Sequence, residues 1–301
     1  MRVVVTGGSG FLGGHVAEEF VRRGHDVAIL DLRPPPKEAP AALCRFVPAD
    51  LGDLDSLTVA LESVDTVCHL AGVGDVYLAA REPYTAAHRN ATGTAHLLEA
   101  ALRANAKKVV YASTWEVYGE PLYQPLDERH PCKPDHPYNI TKYAGELLAL
   151  SYDRLKDLPV VALRLGTAFG PRMRSNSVFS VFIGRASRGE PLTIQGTGEQ
   201  ARQFTHARDI AYAFALAAES ELRGETLNIV SDEATSVRRL AELVSRRFPT
   251  AIEYAPARAG EIRPARVSAA KALSMLGWQA RVTFDEGLDE LLDLASRVPV
   301  G

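Results

Sequence analysis

The first half of the chain switches repeatedly between two hydrophobic periods, and this limits its fold more than any other feature. RVVV (2–5) is a short, β-branched, wholly apolar run, as expected of a strand buried on both faces. FLGGHVAEEFVRRG (11–24) follows, with Phe11, Leu12, Val16, Phe20 and Val21 at helical spacing and Gly24 as a stop. Further strand-like runs are DVAIL (26–30), CRFVPADL (44–51), DTVCHLA (65–71), KKVVYAS (107–113) and LPVVALRLG (158–166). Helical patterns lie between them: 54–64 behind Asp53 as N-cap, 83–104 with Pro83 in its first turn, and 137–155. Such alternation, with continuously apolar strands, predicts an α/β fold whose doubly wound parallel sheet is covered on both faces. Ligands of such sheets bind beyond the carboxyl ends of the strands.

The second half is less regular. A small strand and turn are expected over 189–204, helices over 207–219, 237–248, 268–276 and from 284 to about 296, and a strand over 225–231. The expected division is a first domain over 1–166, joined by some later segments, and a smaller α/β lobe over 167–301. Of the 301 residues, 46% are apolar and the net charge is −3. No global basic field would draw in nucleic acid or an anionic membrane, so an anionic ligand needs a few local arginines. Neither a signal-peptide core nor a bilayer-length apolar stretch is present. Cys44, Cys68 and Cys132 are scattered without metal-ligand spacing. An odd set of this kind fits a reducing cytoplasm, with Cys44 and Cys68 as small buried hydrophobes.

TGGSGFLG (6–13) leaves the first strand and opens the first helix. Gly7, Gly10 and Gly13 permit a tight turn, close approach to a pyrophosphate, and close helix–strand packing. The helix start offers free N–H groups to an anion. A glycine triplet alone serves equally well as a plain turn, but Asp31 ends the second strand where a carboxylate accepts both ribose hydroxyls. It would also repel a 2′-phosphate, which favours NAD over NADP.

In YNITK (138–142), Tyr138 and Lys142 share a helix face. A phenol with a pKa of about 10 needs about 4 kcal/mol to ionise readily at neutrality. One ammonium at about 4 Å in an effective dielectric near 20 supplies roughly that. With an oxidised nicotinamide as a second cation, such a pair can act as a general base.

At this point the chain resembles the extended short-chain dehydrogenase/reductases, in particular the NAD-dependent nucleotide-sugar epimerase/dehydratase family. The resemblance spans nearly the whole length. It rests on TGGSGFLGGHV, HLAG, NATGTAHLLEA, STWEVYGE, PYNITKYAGE, RLGTAFGPR, GTGEQARQF and PARAGEIRPARVSAAKALSMLGW. It implies a Rossmann-type domain with a smaller C-terminal substrate-binding lobe. It also implies a nucleotide-diphosphate sugar as substrate, and a homodimer formed through helices 83–104 and 137–155. Tyr138 and Lys142 match the catalytic pair, and Thr114 matches a Ser or Thr that hydrogen-bonds the reacting sugar oxygen. Phe11, Leu12, Leu51, Leu70, Ala71, Asn90 and an adenine-contacting Asp50 complete the implied cofactor site. Arg202 and Arg258 match arginines that clamp the diphosphate, a task suited to bidentate guanidinium geometry. Thr167 stands where many relatives carry an asparagine that touches the sugar diphosphate, so that contact loses its amide.

Trp115 separates Thr114 from Glu116. Relatives that dehydrate carry an Asp–Glu pair after the catalytic Thr, and indole cannot donate a proton to a leaving hydroxyl at neutral pH. An epimerase needs no such acid. Trp115 is then either a pocket wall or simply packing. The expectation is an NAD-dependent 4-epimerase of a UDP-sugar acting through a 4-keto intermediate. A UDP-glucuronate decarboxylase or a dehydratase using Glu116 is the alternative. A non-catalytic NAD-binding sensor is a further class, but such proteins usually lose the Tyr or Lys that this chain keeps.

Overall fold

The computed structural model describes residues 1–257 and 265–297. β1 (Arg2–Thr6), α1 (Phe11–Arg22), β2 (Asp26–Asp31), β3 (Arg45–Pro48), α2 (Leu54–Ala60) and β4 (Thr66–His69) come first. α3 (Val76–Arg81), α4 (Pro83–Ala87) and α5 (Gly93–Arg103) lead to β5 (Lys108–Thr114), and α6 (Pro137–Lys156) to β6 (Val160–Leu165). Next are β7 (Thr167–Phe169), α7 (Val178–Ser187), β8 (Leu192–Gln195), β9 (Ala201–His206), α8 (Ala207–Glu219) and β10 (Glu225–Ile229). β11 (Ala234–Ser236), α9 (Val237–Arg247), β12 (Ile252–Ala255), α10 (Ala270–Leu276) and α11 (Phe284–Arg297) close the chain order.

The main sheet runs β10-β6-β5-β4-β1-β2-β3, and every pairing in it is parallel. This is the expected Rossmann-type architecture. Its cause is visible in RVVV. Val3 and Val5 join Val16, Phe20 and Phe214 on one face, while Val4 joins Leu57, Leu97 and Ala149 on the other. Alternate residues of one apolar strand thus feed two cores, each buried side chain contributing about 1.5–3 kcal/mol. β10 and α8 return from late in the chain to complete this layer.

The second lobe holds a three-stranded sheet, β11-β9-β7, and a two-stranded pair, β12-β8. Phe169, Phe179, Phe204 and Phe284 meet in its core with ring centroids 4.9–6.2 Å apart. The 189–204 segment is therefore two strands in separate sheets.

Other departures have local causes. The expected 83–104 helix is interrupted by a π-helical turn at His88–Thr92. The inserted residue accompanies a buried Asn90, whose side chain ties down Val73 and α6. β3 pairs over only four residues and lies at the sheet edge, where Pro48 is tolerated. β5 extends one residue further than expected, to Thr114. Cys68 is buried as expected, but Cys44 is only half-buried, beside a short 3-10 turn. Asp53 caps α2, accepting from the Ser56 amide at 3.1 Å. Among the described residues no helix is long and apolar enough to cross a membrane.

Candidate active site

The sheet order reverses between β1 and β4, the point beyond whose strand ends ligands of open parallel sheets bind. The glycine turn after β1 lies at this point and is packed by backbone alone. A Cβ on Gly13 would lie 2.1 Å from the Gly7 carbonyl oxygen, and one on Gly7 would lie 2.9 Å from the Ala71 nitrogen. Gly7 also has φ +69°, a conformation that favours glycine. Gly10 caps α1 without a side-chain bond, leaving the first-turn amides of Phe11 and Leu12 open to a ligand. Asp31 accepts from the Ser9 amide at 3.1 Å and the Leu32 amide at 2.7 Å, which fixes its carboxylate next to the turn. A turn that excludes side chains, a free helix start and an adjacent oriented carboxylate fit a dinucleotide.

Leu70 and Ala71 form the opposite wall. Their amides donate to Thr6 Oγ1 at 3.2 and 3.1 Å. With both lone pairs used, the Thr6 hydroxyl donates to His69 Nδ1 at 2.8 Å. His69 Nε2 then donates to Thr94 Oγ1 at 3.0 Å, and Thr94 to the Asn90 carbonyl at 2.7 Å. Burial, with Lys142 adding to it, pushes His69 down to about 3, so the relay runs through a neutral imidazole. Asn90 accepts from the Val73 amide at 2.7 Å and donates to Thr141 at 3.1 Å. Asp50 accepts from the Gly52 amide at 2.9 Å, while the Leu51 carbonyl takes a bond from His96. Thr6, His69 and Thr94 were not singled out from sequence. Three polar residues in otherwise apolar or helical segments were the available signal.

Thr114 ends β5, and its hydroxyl accepts from the Glu116 amide at 3.3 Å. The chain then turns through a short 3-10 helix, Trp115–Tyr118. Tyr138 sits in the first turn of α6, started by Pro137 and capped by His136. Its phenol faces Thr114 and Glu116. Glu116 Oε2 is buried with no hydrogen-bond partner, and Arg202 on β9 and Asp135 face the same carboxyl. Burial raises the Glu116 carboxyl, against the pull of Arg202.

The phenol's electrostatics differ from the sequence argument. Tyr138 is pushed up, first by burial and then by Glu116, while Thr114 and Arg174 favour the phenolate. The Lys142 ammonium is itself buried, stacks 4.5 Å above the Tyr111 ring and is lowered to about 8 by burial. The chain's own groups therefore leave the phenol protonated, because desolvation of the anion outweighs the favourable charges.

Trp115 joins Tyr118, Leu126, Val230 and Val267 in an apolar cluster and is 7% exposed. Thr167 is half-buried on β7, paired with Phe204 of β9. Arg258 lies outside the described residues. Beneath the site, Ser113 donates to Glu146, which forms a buried ion pair with Arg164 at 2.6 Å. Glu146 falls in the YAGE stretch, but its role needed the three-dimensional neighbours.

A family model described as the NAD dependent epimerase/dehydratase family matches residues 3–230. The chain is 32% identical over 299 residues to a putative UDP-glucose 4-epimerase of Methanocaldococcus jannaschii, covering 97% of each. It is 31% identical over 318 residues to a UDP-N-acetyl-alpha-D-glucosaminuronate decarboxylase of Bacillus cytotoxicus, covering 97% of this chain and 96% of the other. Its structure is similar to that of a UDP-glucose 4-epimerase from Thermotoga maritima solved with UDP-glucose. The TM-score is 0.92 at 30% identity, over 97% of this chain and 98% of that one.

Proposed function

The chain belongs to the NAD dependent epimerase/dehydratase family, and from that premise we propose that it is an NAD-dependent 4-epimerase of a UDP-sugar. The observation that carries this reading is the meeting of Thr114, Tyr138 and Glu116 at the carboxyl end of β5. Residues 1–166, with α8 and β10 returning to them, bind the cofactor, and 167–301 mainly bind the sugar nucleotide. Gly7, Gly10, Phe11, Leu12 and Gly13 hold the pyrophosphate, and Asp31 takes the ribose hydroxyls. Asp50, Leu51, Leu70, Ala71 and Asn90 complete the cofactor's walls.

NAD, when bound, supplies the hydride acceptor and donor at C4 and a positive charge beside the phenol. Thr114 holds the C4 oxygen. Tyr138 removes the C4 hydroxyl proton and returns it after the 4-keto sugar has turned its other face. Lys142, on the same helix, adds a cation of the chain to that exchange besides Arg174. The burial that raises the phenol also strengthens its response to each added positive charge. Arg202 clamps the diphosphate, with Arg258 as its proposed partner and Thr167 beside the sugar. Trp115 bounds the pocket from beneath through its packing.

We place the enzyme in the cytoplasm on the strength of its free thiols. As an assembly, we propose a homodimer through α5 and α6. Ile140, Leu147 and Leu155 leave an exposed apolar stripe along α6.

The test is to incubate purified protein with UDP-glucose and no added cofactor. UDP-galactose should form, and Tyr138→Phe should slow its formation by about 10²–10⁴-fold while UDP still binds. Carbon dioxide from UDP-glucuronate, or a stable 4-keto-6-deoxy product, would move the assignment to a decarboxylase or dehydratase using Glu116.

A further inference from the structure

We propose that Asp75 is a positioning residue for the reaction: from the start of α3 it clasps the loop after β7 and so holds the Arg174 guanidinium toward the Tyr138 phenol. The inference rests on the epimerase reading and adds a residue to it. Asp75 divides its two oxygens between two elements. Oδ1 caps α3, accepting from the Tyr77 and Leu78 amides at 2.9 and 3.1 Å. Oδ2 accepts from Asn176 Nδ2 at 3.0 Å and lies 3.4 Å from Arg174 Nη1. The first set is local, whereas the bond to Asn176 crosses 101 positions of chain, from the Rossmann layer to the loop after β7.

The loop that carries Arg174 is tied to the Rossmann layer at both ends. At its start, His15 on α1 donates to the Pro171 carbonyl at 2.9 Å, and Arg172 pairs with Glu18 at 2.7 Å. At its end, Asp75 takes Asn176 and Arg174. α1 follows the glycine turn and Asp75 follows Leu70 and Ala71, so the loop runs from one wall of the proposed cofactor site to the other. Within the loop, the Arg174 carbonyl accepts from the Ser177 amide at 3.2 Å and from Ser180 Oγ at 2.9 Å. The first turn of α7 thereby fixes the backbone of Arg174, and what Asp75 adds is the direction of its long side chain. That side chain is 55% exposed, so without a partner it would spread over several rotamers. Tyr138 packs against the cluster of Val73, Ala79 and Ala86 around α3, and Arg174 is a positive charge that acts on its phenol. A guanidinium held there favours the phenolate in the step that takes the C4 hydroxyl proton.

The experiment uses the protein as purified, with its cofactor. Asp75→Asn keeps the oxygen that caps α3 and replaces the other with an NH2 group, which cannot accept from Asn176 or pair with Arg174. Its kcat with UDP-glucose should fall by about three- to tenfold, as for one partly exposed ion pair and one charge-assisted hydrogen bond. Affinity for UDP alone, which brings no C4 hydroxyl to the phenol, should be unchanged. Asn176→Asp sets two carboxylates against each other and should be at least as slow. The double variant, Asp75→Asn with Asn176→Asp, restores the bond with donor and acceptor exchanged, and its kcat should recover to within about twofold of wild type. If Asp75→Asn fails to fold, Asn176→Ala, at an exposed position, removes the same bond and should lower kcat in the same sense. Equal kcat in Asp75→Asn and wild type, a loss of UDP affinity as large as the loss of kcat, or a double variant no faster than the singles overturns the proposal. If wild type does not turn over UDP-glucose, the epimerase reading fails, and hydrogen–deuterium exchange of residues 170–177 decides the clasp. Exchange should then be faster in Asp75→Asn and return to the wild-type rate in the double variant; an unchanged rate in Asp75→Asn overturns it.

Discussion

Arg164→Met should be among the most damaging single changes in the chain, although Arg164 touches no ligand in the proposed mechanism. Its guanidinium makes two bonds to Glu146, Nη2–Oε1 at 2.6 Å and Nε–Oε2 at 3.1 Å. The side chains are 6% and 1% exposed. The guanidinium also lies 4.7 Å above the Tyr118 ring. Removing one partner of such a pair strands a buried charge, which costs about 3–5 kcal/mol. For a chain of 301 residues, at about 1.6 °C per kcal/mol, Tm should fall by roughly 5–8 °C. The damage should reach the chemistry as well. Glu146 lies one turn beyond Lys142 on α6 and takes a 2.5 Å bond from Ser113, the residue before Thr114. Thermal unfolding by circular dichroism, at one protein concentration and pH, measures the loss. Glu146→Leu combined with Arg164→Met removes both charges and should be less damaging than Arg164→Met alone, because well-packed apolar replacements of buried pairs are often near neutral. A Tm within about 2 °C of wild type, or losses that simply add in the double variant, would refute the reasoning.

Two further outcomes follow from the described geometry. Burial holds Lys142 at about 8, below its ordinary value, so kcat/KM of the free enzyme should decline as pH rises through about 8 and the ammonium is lost; Lys142→Arg should move that decline upward, because guanidinium stays charged. The stability sign is opposite: between that pH and the unfolded value of about 10.4 the unfolded chain binds more protons, so this lysine's contribution to stability improves as pH rises. Leu147→Glu places a charge at a 51%-exposed position in the apolar stripe of α6 and should abolish the proposed dimer, leaving a monomer by light scattering; a mass unchanged from wild type would exclude α6 as the interface.

The parallel sheet was legible because its signal is local. RVVV and DVAIL each carry the apolar pattern of a doubly covered strand, and Asp53 caps its helix using a neighbour three residues away. The second lobe was not legible in the same way. β8 finds its partner in β12 and β9 in β7 and β11, all short strands paired across long stretches of chain. No local period distinguishes such pieces from loop. The π-helical turn escaped for a related reason. HRNAT reads as ordinary helix, and its bulge is tied to Asn90 reaching Val73 and Thr141, contacts that exist only after α6 has packed. Likewise, spacing alone put Tyr138 and Lys142 on one face but could not weigh the desolvation of each, which dominates both shifts.

The indole between Thr114 and Glu116 shows how far one residue's role depends on a turn. In a continuing strand, 114 and 116 would share a face and 115 would take the other. Here β5 stops at Thr114, whose hydroxyl accepts the Glu116 amide and starts a 3-10 turn. The turn keeps Thr114 and Glu116 with the Tyr138 phenol, while Trp115 is driven into the cluster with Leu126 and Val267. Leu126 and Val267 are themselves bridged, and Gln203, the neighbour of Arg202, accepts from the Val267 amide at 2.6 Å. The indole therefore ties the loop after β5 to the strand that carries Arg202. A small residue at position 115 would leave the two polar groups in place but remove the volume that fixes their distance from β9. On this packing the bulk of Trp115, rather than any chemistry of its ring, sets the spacing between the Thr114–Glu116 turn and Arg202.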